Sequence, residues 1–122
     1  MKEDNFDCVC LECNFVCFHQ TNHHAYYCVT LYVLLAAKVN GIEADVVLKN
    51  EGTDAQEMLP IMSHPPVYTS DLTLRSFLHE TLLGDSLVKL DFKSLAPVEL
   101  TLQMLNEFKD QVGVKQGTLI VP

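Results

Sequence analysis

Four polar side chains stand at the ends of short apolar runs, and together they could bind a metal ion and move a proton. Two of them, Glu43 and Asp45, lie in GIEADVVL. They are two residues apart, so in a strand both point to the same face. Neighbouring carboxylates repel each other, and a hard cation such as Mg²⁺ or Ca²⁺ relieves that repulsion by taking oxygen ligands. The pair predicts two metal ligands, although two solvated charges at a strand end would give the same pattern.

A third carboxylate comes from VKLDFKS, where Asp91 lies between apolar Leu90 and Phe92. This position favours an inward-pointing side chain and predicts a third metal ligand. The alternatives are a carboxylate in a loop or at the approach to a helix, or an ion pair with Lys89 or Lys93. Lys93 could stabilise a negative charge that develops on a substrate, or it could simply neutralise Asp91. The sequence leaves both roles open.

The fourth residue is His64, which ends the apolar run LPIMS and precedes two prolines. A residue before proline is held out of the helical region, so we expect His64 to be extended at the exit of a short strand over 60–63. Because imidazole titrates near neutral pH, His64 is the candidate acid/base residue. His79 falls among exposed positions of the next helix, where we expect it to be solvated.

Strands and helices alternate in the second part of the chain. The pattern predicts strands over 42–48, 60–63, 87–92 and 118–121 and helices over 74–83 and 98–112. Thr73 can cap the first helix, Gly84 can end it, and Pro97 suits the first turn of the second. Each helix shows one apolar stripe: Leu74, Phe77, Leu78 and Leu82, then Val98, Leu102, Leu105, Phe108 and Val112. Such alternation implies parallel strands, with ligands at their carboxyl ends.

Composition limits the classes of function. With 122 residues and 48% hydrophobic content, the chain is long enough for one small domain. A net charge of -8 argues against binding to nucleic acid or anionic lipid, but it still permits a small phosphate ester beside a metal ion. The apolar run over 26–39, about fourteen residues, is shorter than the roughly twenty that span a bilayer, and it favours a buried helix.

The first 35 residues differ from the remainder. They hold all five cysteines, Cys8, Cys10, Cys13, Cys17 and Cys28, with His19, His23 and His24 among them. Only Cys10-x-x-Cys13 has the spacing of half a zinc site, so we do not expect zinc there. We expect 1–35 to be an irregular or helical, poorly packed segment before an α/β domain over 36–122. The start lacks the basic and apolar regions of a secretory signal.

The motifs GIEADVVL, PIMSHPP, SDLTLRSFLHETLL and VKLDFKSLAPVELTLQML, in that order, resemble the menorin-like family. That family resembles glycerophosphodiester phosphodiesterases, which are (β/α)₈ TIM barrels with a divalent metal and two histidines. The resemblance implies that Glu43, Asp45 and Asp91 bind the metal and that His64 and Lys93 are catalytic. The other histidine of the pair would lie upstream, at a distance that falls on the His23-His24 stretch, whose surroundings do not match.

The resemblance therefore implies a metal-dependent phosphodiesterase that uses Mg²⁺ or Ca²⁺ on a small phosphodiester. A complete barrel needs about 250 residues, so we expect a partial barrel that is truncated and weakly active or inactive. The alternative is a non-catalytic extracellular adhesion module that binds a cell-surface protein. A third reading is a product without a function of its own, because half a barrel leaves strand edges open. The family implies an extracellular location.

Overall fold

The computed structural model describes residues 8–12, 20–21, 24–84, 86–112 and 118–121. Within these ranges the elements are β1 (Cys8–Cys10), β2 (Gln20–Thr21), β3 (His24–Ala25), α1 (Cys28–Ala36), β4 (Gly41–Leu48), β5 (Pro60–Met62), α2 (Leu74–Leu83), β6 (Leu87–Phe92), α3 (Val98–Val112) and β7 (Thr118–Val121). All four predicted strands and both predicted helices of the second part are present, with bounds within two residues of the prediction.

The main sheet is mixed, and β4 lies at its centre. β1 and β6 pair with β4 in parallel, and β7 pairs in parallel with β6. The predicted parallel pairing is confirmed for β4, β6 and β7. It is wrong for β5, which is antiparallel to β4. The reason lies in the loop after β4: only eleven residues, 49–59, join the two strands, and at its base the Lys49 amide donates to the Leu59 carbonyl at 2.9 Å. A parallel partner needs a crossover of a dozen or more residues, usually a helix.

The core lies on one face of β4 and β6, where side chains alternate between apolar and polar. The inward positions are Ile42, Ala44, Val46, Val88, Leu90 and Phe92. Helix α2 covers them with the predicted stripe, of which Leu74, Phe77 and Leu78 are fully buried and Leu82 nearly so. The opposite face carries Glu43, Asp45, Lys89 and Asp91, because successive strand residues point to opposite sides. The alternation thus separates the core from the candidate site.

Helix α2 begins and ends as predicted. Thr73 has an extended backbone, and its hydroxyl accepts a hydrogen bond from the Ser76 amide at 3.1 Å. This satisfies one of the amide groups that a helix start leaves without a partner. The Gly84 amide donates to the Thr81 carbonyl at the other end. Thr73 and Gly84 therefore set the two ends of this helix.

Helix α3 forms over the predicted span, but its buried side is rotated. Leu102, predicted in the stripe, is 50% exposed, whereas Thr101 and Met104 are buried. Thr101 tolerates burial because its hydroxyl donates to the Pro97 carbonyl at 2.8 Å. The side chain of Val112 lies outside the described residues.

The prediction of a poorly packed N-terminal segment is wrong for its described residues. Leu11, Ala25 and Tyr27 are fully buried in the main core. The apolar run forms α1, but this helix buries only one side, and Tyr32 on the other side is 73% exposed. No helix in the described ranges is long and apolar enough to cross a bilayer. Cys13, Cys17, His19 and His23 lie outside the described residues.

Candidate functional site

Asp45 and Asp91 occupy paired positions on two neighbouring parallel strands, β4 and β6. Two residues earlier, Glu43 pairs with Lys89 in the same way. Paired residues point to the same side of a sheet, and neighbouring strands lie about 4.8 Å apart. Three sequence-predicted carboxylates therefore share the face of the sheet that the helices do not cover.

Asp45 is the most buried of the three. Its side chain is 7% exposed, against 17% for Asp91 and 30% for Glu43. Burial raises the pKa of Asp45 to about 6. His64 and Lys93 oppose this rise, while the negative charges of Asp91 and Glu43 add to it. The protein thus holds this carboxyl group where its negative charge is poorly solvated, so a nearby positive charge would stabilise it.

His64 reaches the site because β5 runs back along β4. The Ser63 amide donates to the Asp45 carbonyl at 3.2 Å, and His64 Nε2 then lies 3.5 Å from Asp45 Oδ2. The other ring nitrogen, Nδ1, is 2.6 Å from the Pro65 carbonyl oxygen. A carbonyl oxygen can only accept, so Nδ1 carries a proton. Nε2 is therefore the nitrogen that can gain or lose a proton toward Asp45.

Each of the three carboxylates faces a basic group of the protein. Lys93 Nζ donates to Asp91 Oδ2 at 3.1 Å, and Lys89 Nζ lies 3.6 Å from Glu43 Oε2. The hydrogen bond to Asp91 raises the pKa of Lys93, and the charge of Asp45 adds to this effect. Two roles were left open for Lys93. The contact seen in the structure is the one with Asp91, which corresponds to neutralisation of that carboxylate.

The donor chemistry of this face suits a hard cation, because carboxylate oxygens are the ligands that Mg²⁺ and Ca²⁺ prefer. The poorly solvated charge of Asp45 points the same way. The side chains are not gathered around one point, however: within the described ranges no group of three or more His, Cys, Asp or Glu side chains is placed to hold a metal ion. A metal ion here would compete with Lys93 for Asp91 and with Lys89 for Glu43.

A fourth carboxylate, which the sequence reasoning missed, is Glu12. Its side chain is 1% exposed, and its Oε2 accepts a hydrogen bond from the Asp45 amide at 2.8 Å. Burial raises the pKa of Glu12 well above its usual value of 4.5, and the neighbouring charge of Asp45 adds to the rise. Glu12 directly follows the apolar run Val9 to Leu11. The other candidates were selected as polar residues at the ends of apolar runs, so the same criterion could have identified Glu12.

Two other histidines have contacts of their own. His24 lies on β3, and its Nδ1 is 2.8 Å from Thr69 Oγ1. His79 is exposed on α2, as predicted, and its Nδ1 lies 3.4 Å from its chain neighbour Glu80. Among the described residues, His64 is thus the histidine that contacts an acid which is not its chain neighbour, and that acid is Asp45.

These features define a small α/β protein with acidic side chains and one histidine on the open face of a partly parallel sheet. The model of the Menorin N-terminal domain family matches residues 17–121. The chain therefore belongs to the menorin family. The matched region begins after β1, so Glu12 lies outside it.

A human relative, Protein FAM151B, is 39% identical to the chain over 92 residues. The aligned part covers 75% of this chain and 31% of the relative, so the chain spans about a third of that protein's length. A search of solved structures found no significant match.

Proposed function

We propose that the chain carries the acidic part of a metal-dependent phosphodiesterase site of the glycerophosphodiester type. The observation that supports this best is the in-register pair Asp45 and Asp91 with His64 Nε2 at 3.5 Å from Asp45. The arrangement combines oxygen ligands for a hard cation with an imidazole that can donate or accept a proton.

Glu43, Asp45 and Asp91 would hold the cation, Mg²⁺ or Ca²⁺. Once bound, it would polarise the phosphoryl group and offset negative charge in the transition state. Lys93, displaced from Asp91, would then be available to a phosphoryl oxygen, so its two predicted roles would follow one another. This makes Lys93 a partner of Asp91 before the cation binds and a contact for the substrate afterwards.

His64 would exchange a proton with the substrate through Nε2, because Nδ1 is held by the Pro65 carbonyl. Its side chain is 48% exposed, so a small substrate can reach it. The net charge of -8 favours a compact phosphodiester over a polyanion such as nucleic acid.

We propose that the sheet is part of a (β/α)₈ barrel; the parallel pairing of β4, β6 and β7 supports this, as do the helices on one face. A barrel of this type takes about 250 residues, so these residues would form part of one. We propose that they bind the cation, and hydrolysis of phosphodiesters is tested separately.

The first arm of the test is calorimetric titration of the 122-residue chain with Mg²⁺ and with Ca²⁺. We expect binding in the wild type, and at least a tenfold loss in Glu43→Gln and in Asp45→Asn. Asp54→Asn, an exposed acid in the loop after β4, is the matched control and should bind as the wild type does. Absence of heat with both cations would overturn the metal site.

The second arm is hydrolysis of glycerophosphocholine in the presence of the bound cation. Any activity should fall 10²- to 10⁴-fold in His64→Ala, because that is the range for loss of one proton-transfer group. His79→Ala, an exposed histidine on α2, should keep the wild-type rate. Equal rates in the two variants would show that His64 takes no part in the reaction.

A second candidate function is a non-catalytic, extracellular binding module. It is favoured by the exposed apolar side of α1, where Val29, Tyr32 and Val33 are 71%, 73% and 55% exposed. An inactive chain that binds neither cation but adheres to cells, with adhesion lost in Tyr32→Ser, would support this function over the first.

A further inference from the structure

We propose that Glu12, in the turn after β1 and outside the family-matched region, is a positioning residue for Asp45. This inference rests on the proposed function, because the position of Asp45 matters only if Asp45 binds a cation or substrate. It adds to the site a residue that the matched region, 17–121, does not contain.

Strand β1 ends just before it would pair with Asp45. Cys10 pairs with Glu43, and the next rung is the Leu11 amide donating to the Glu43 carbonyl at 2.7 Å. In a continued parallel ladder the acceptor for the Asp45 amide would be the Leu11 carbonyl. The chain instead turns at Leu11 and Glu12, and Glu12 Oε2 accepts from the Asp45 amide at 2.8 Å. The side chain therefore replaces a missing rung of the sheet.

Burial makes this bond matter. Glu12 is 1% exposed and the Asp45 residue 5%, so water cannot readily replace the Glu12 oxygen as acceptor. An amide left without a partner in such surroundings would be costly, and the β4 backbone would shift to find one. The Asp45 side chain leaves the same residue toward His64, so a shift of this amide would move the carboxylate away from His64 Nε2.

Two substitutions, each with a side chain about as long as that of Glu, distinguish the hydrogen bond of Glu12 from its packing. Glu12→Gln keeps an oxygen acceptor, whereas Glu12→Met fills the space without one. In ¹H–¹⁵N spectra we expect the Asp45 amide to stay protected from exchange in the Glu12→Gln variant and to exchange at least tenfold faster in the Glu12→Met variant. Mg²⁺ or Ca²⁺ affinity should fall about 10- to 100-fold in Glu12→Met and stay within about threefold in Glu12→Gln, as for residues that orient a ligand.

Glu51→Met is the matched control. Glu51 also accepts an amide of β4, from Leu48 at 2.9 Å, so its loss should leave the Asp45 amide unchanged. A wild-type Asp45 amide among the fastest to exchange would overturn the inference even if Glu12→Met fails to fold. So would equal cation affinity in the two Glu12 variants. If the wild type binds neither cation, the proposed function fails. The exchange rate of the Asp45 amide in the two Glu12 variants then tests by itself whether Glu12 holds the β4 backbone in place.

Discussion

The carboxylates of the site differ in burial, and this difference gives them different chemistry. Glu43 and Asp91 are partly exposed and lie beside lysines, whereas Asp45 is nearly enclosed and lies beside His64. Of these three, Asp45 alone combines a high cost of ionisation with a proton-exchanging neighbour. It is therefore the residue whose charge should respond most to pH or to a cation.

The raised pKa of Asp45 predicts that its contribution to stability falls as pH rises. In the folded state this pKa is about 6, against 3.8 for an ordinary aspartate, so the folded chain holds the proton more tightly. The contribution of Asp45 to stability is then fully present below pH 3.8 and is lost as pH rises through 6, by about 3 kcal/mol in total for a shift of this size. Asp45→Asn should remove this decline, as measured by urea unfolding between about pH 3.5 and 8.

Comparison of the two proteins measures the effect of the Asp45 carboxyl group. Because the charge of Asp45 also raises the pKa of Glu12 and the pKa of Lys93, the difference includes its effect on these two neighbours. Parallel stability curves for wild type and Asp45→Asn over this pH range would contradict the prediction.

The sequence predicted part of the site at this scale. The two-residue period of a strand placed Glu43 and Asp45 on one face, and the register of β6 added Asp91. The contact of His64 with Asp45 depends on the reversal after β4, which is made by backbone hydrogen bonds that side-chain types do not encode. The apolar run before Glu12 marks it as a candidate, but its contact with the Asp45 amide depends on which strand pairs with β4 and could not be predicted.

At the scale of elements, capping chemistry is the clearest local signal. Helix α2 begins where Thr73 accepts the Ser76 amide. Thr73→Ala should lower the free energy of unfolding by about 1 kcal/mol, the usual value for loss of such a cap, while Thr73→Ser should lower it much less. Urea unfolding at constant pH measures both. Equal losses in the two variants would show that the hydroxyl is not the source of the effect.

Elements were easier to predict than their pairing. Runs of apolar and β-branched residues between turn residues fixed the bounds of β4 and β6 closely. The direction of β5 and the rotation of α3 were missed, because each depends on long-range contacts. A strand of three residues, Pro60–Met62, contains too little pattern to select its partner.

At the scale of the whole molecule, the N-terminal segment contributes to the core. Leu11 is fully buried, and its amide donates to β4. Leu11→Ala should therefore lower the free energy of unfolding by about 2–5 kcal/mol, the range for deleting a buried leucine side chain. Leu95→Ala, at a position 81% exposed, should change it by less than about 0.5 kcal/mol.

Chemical unfolding followed by circular dichroism measures this pair. Similar small losses in both variants would mean that the first strand is dispensable for the fold. A large loss in Leu11→Ala alone would show that residues before the family-matched region belong to the same cooperative unit.

The loop after β4 closes on itself at its base, where Lys49 donates to the Leu59 carbonyl and accepts from the Glu57 amide. The spacing between Asp45 and His64 is therefore set below the loop and does not depend on how many residues its tip contains. Insertion or deletion of residues at the tip should therefore leave both side chains in place. For the same reason, the exposed stretch at 52–54 is where an affinity tag or a fluorophore can be spliced into the chain.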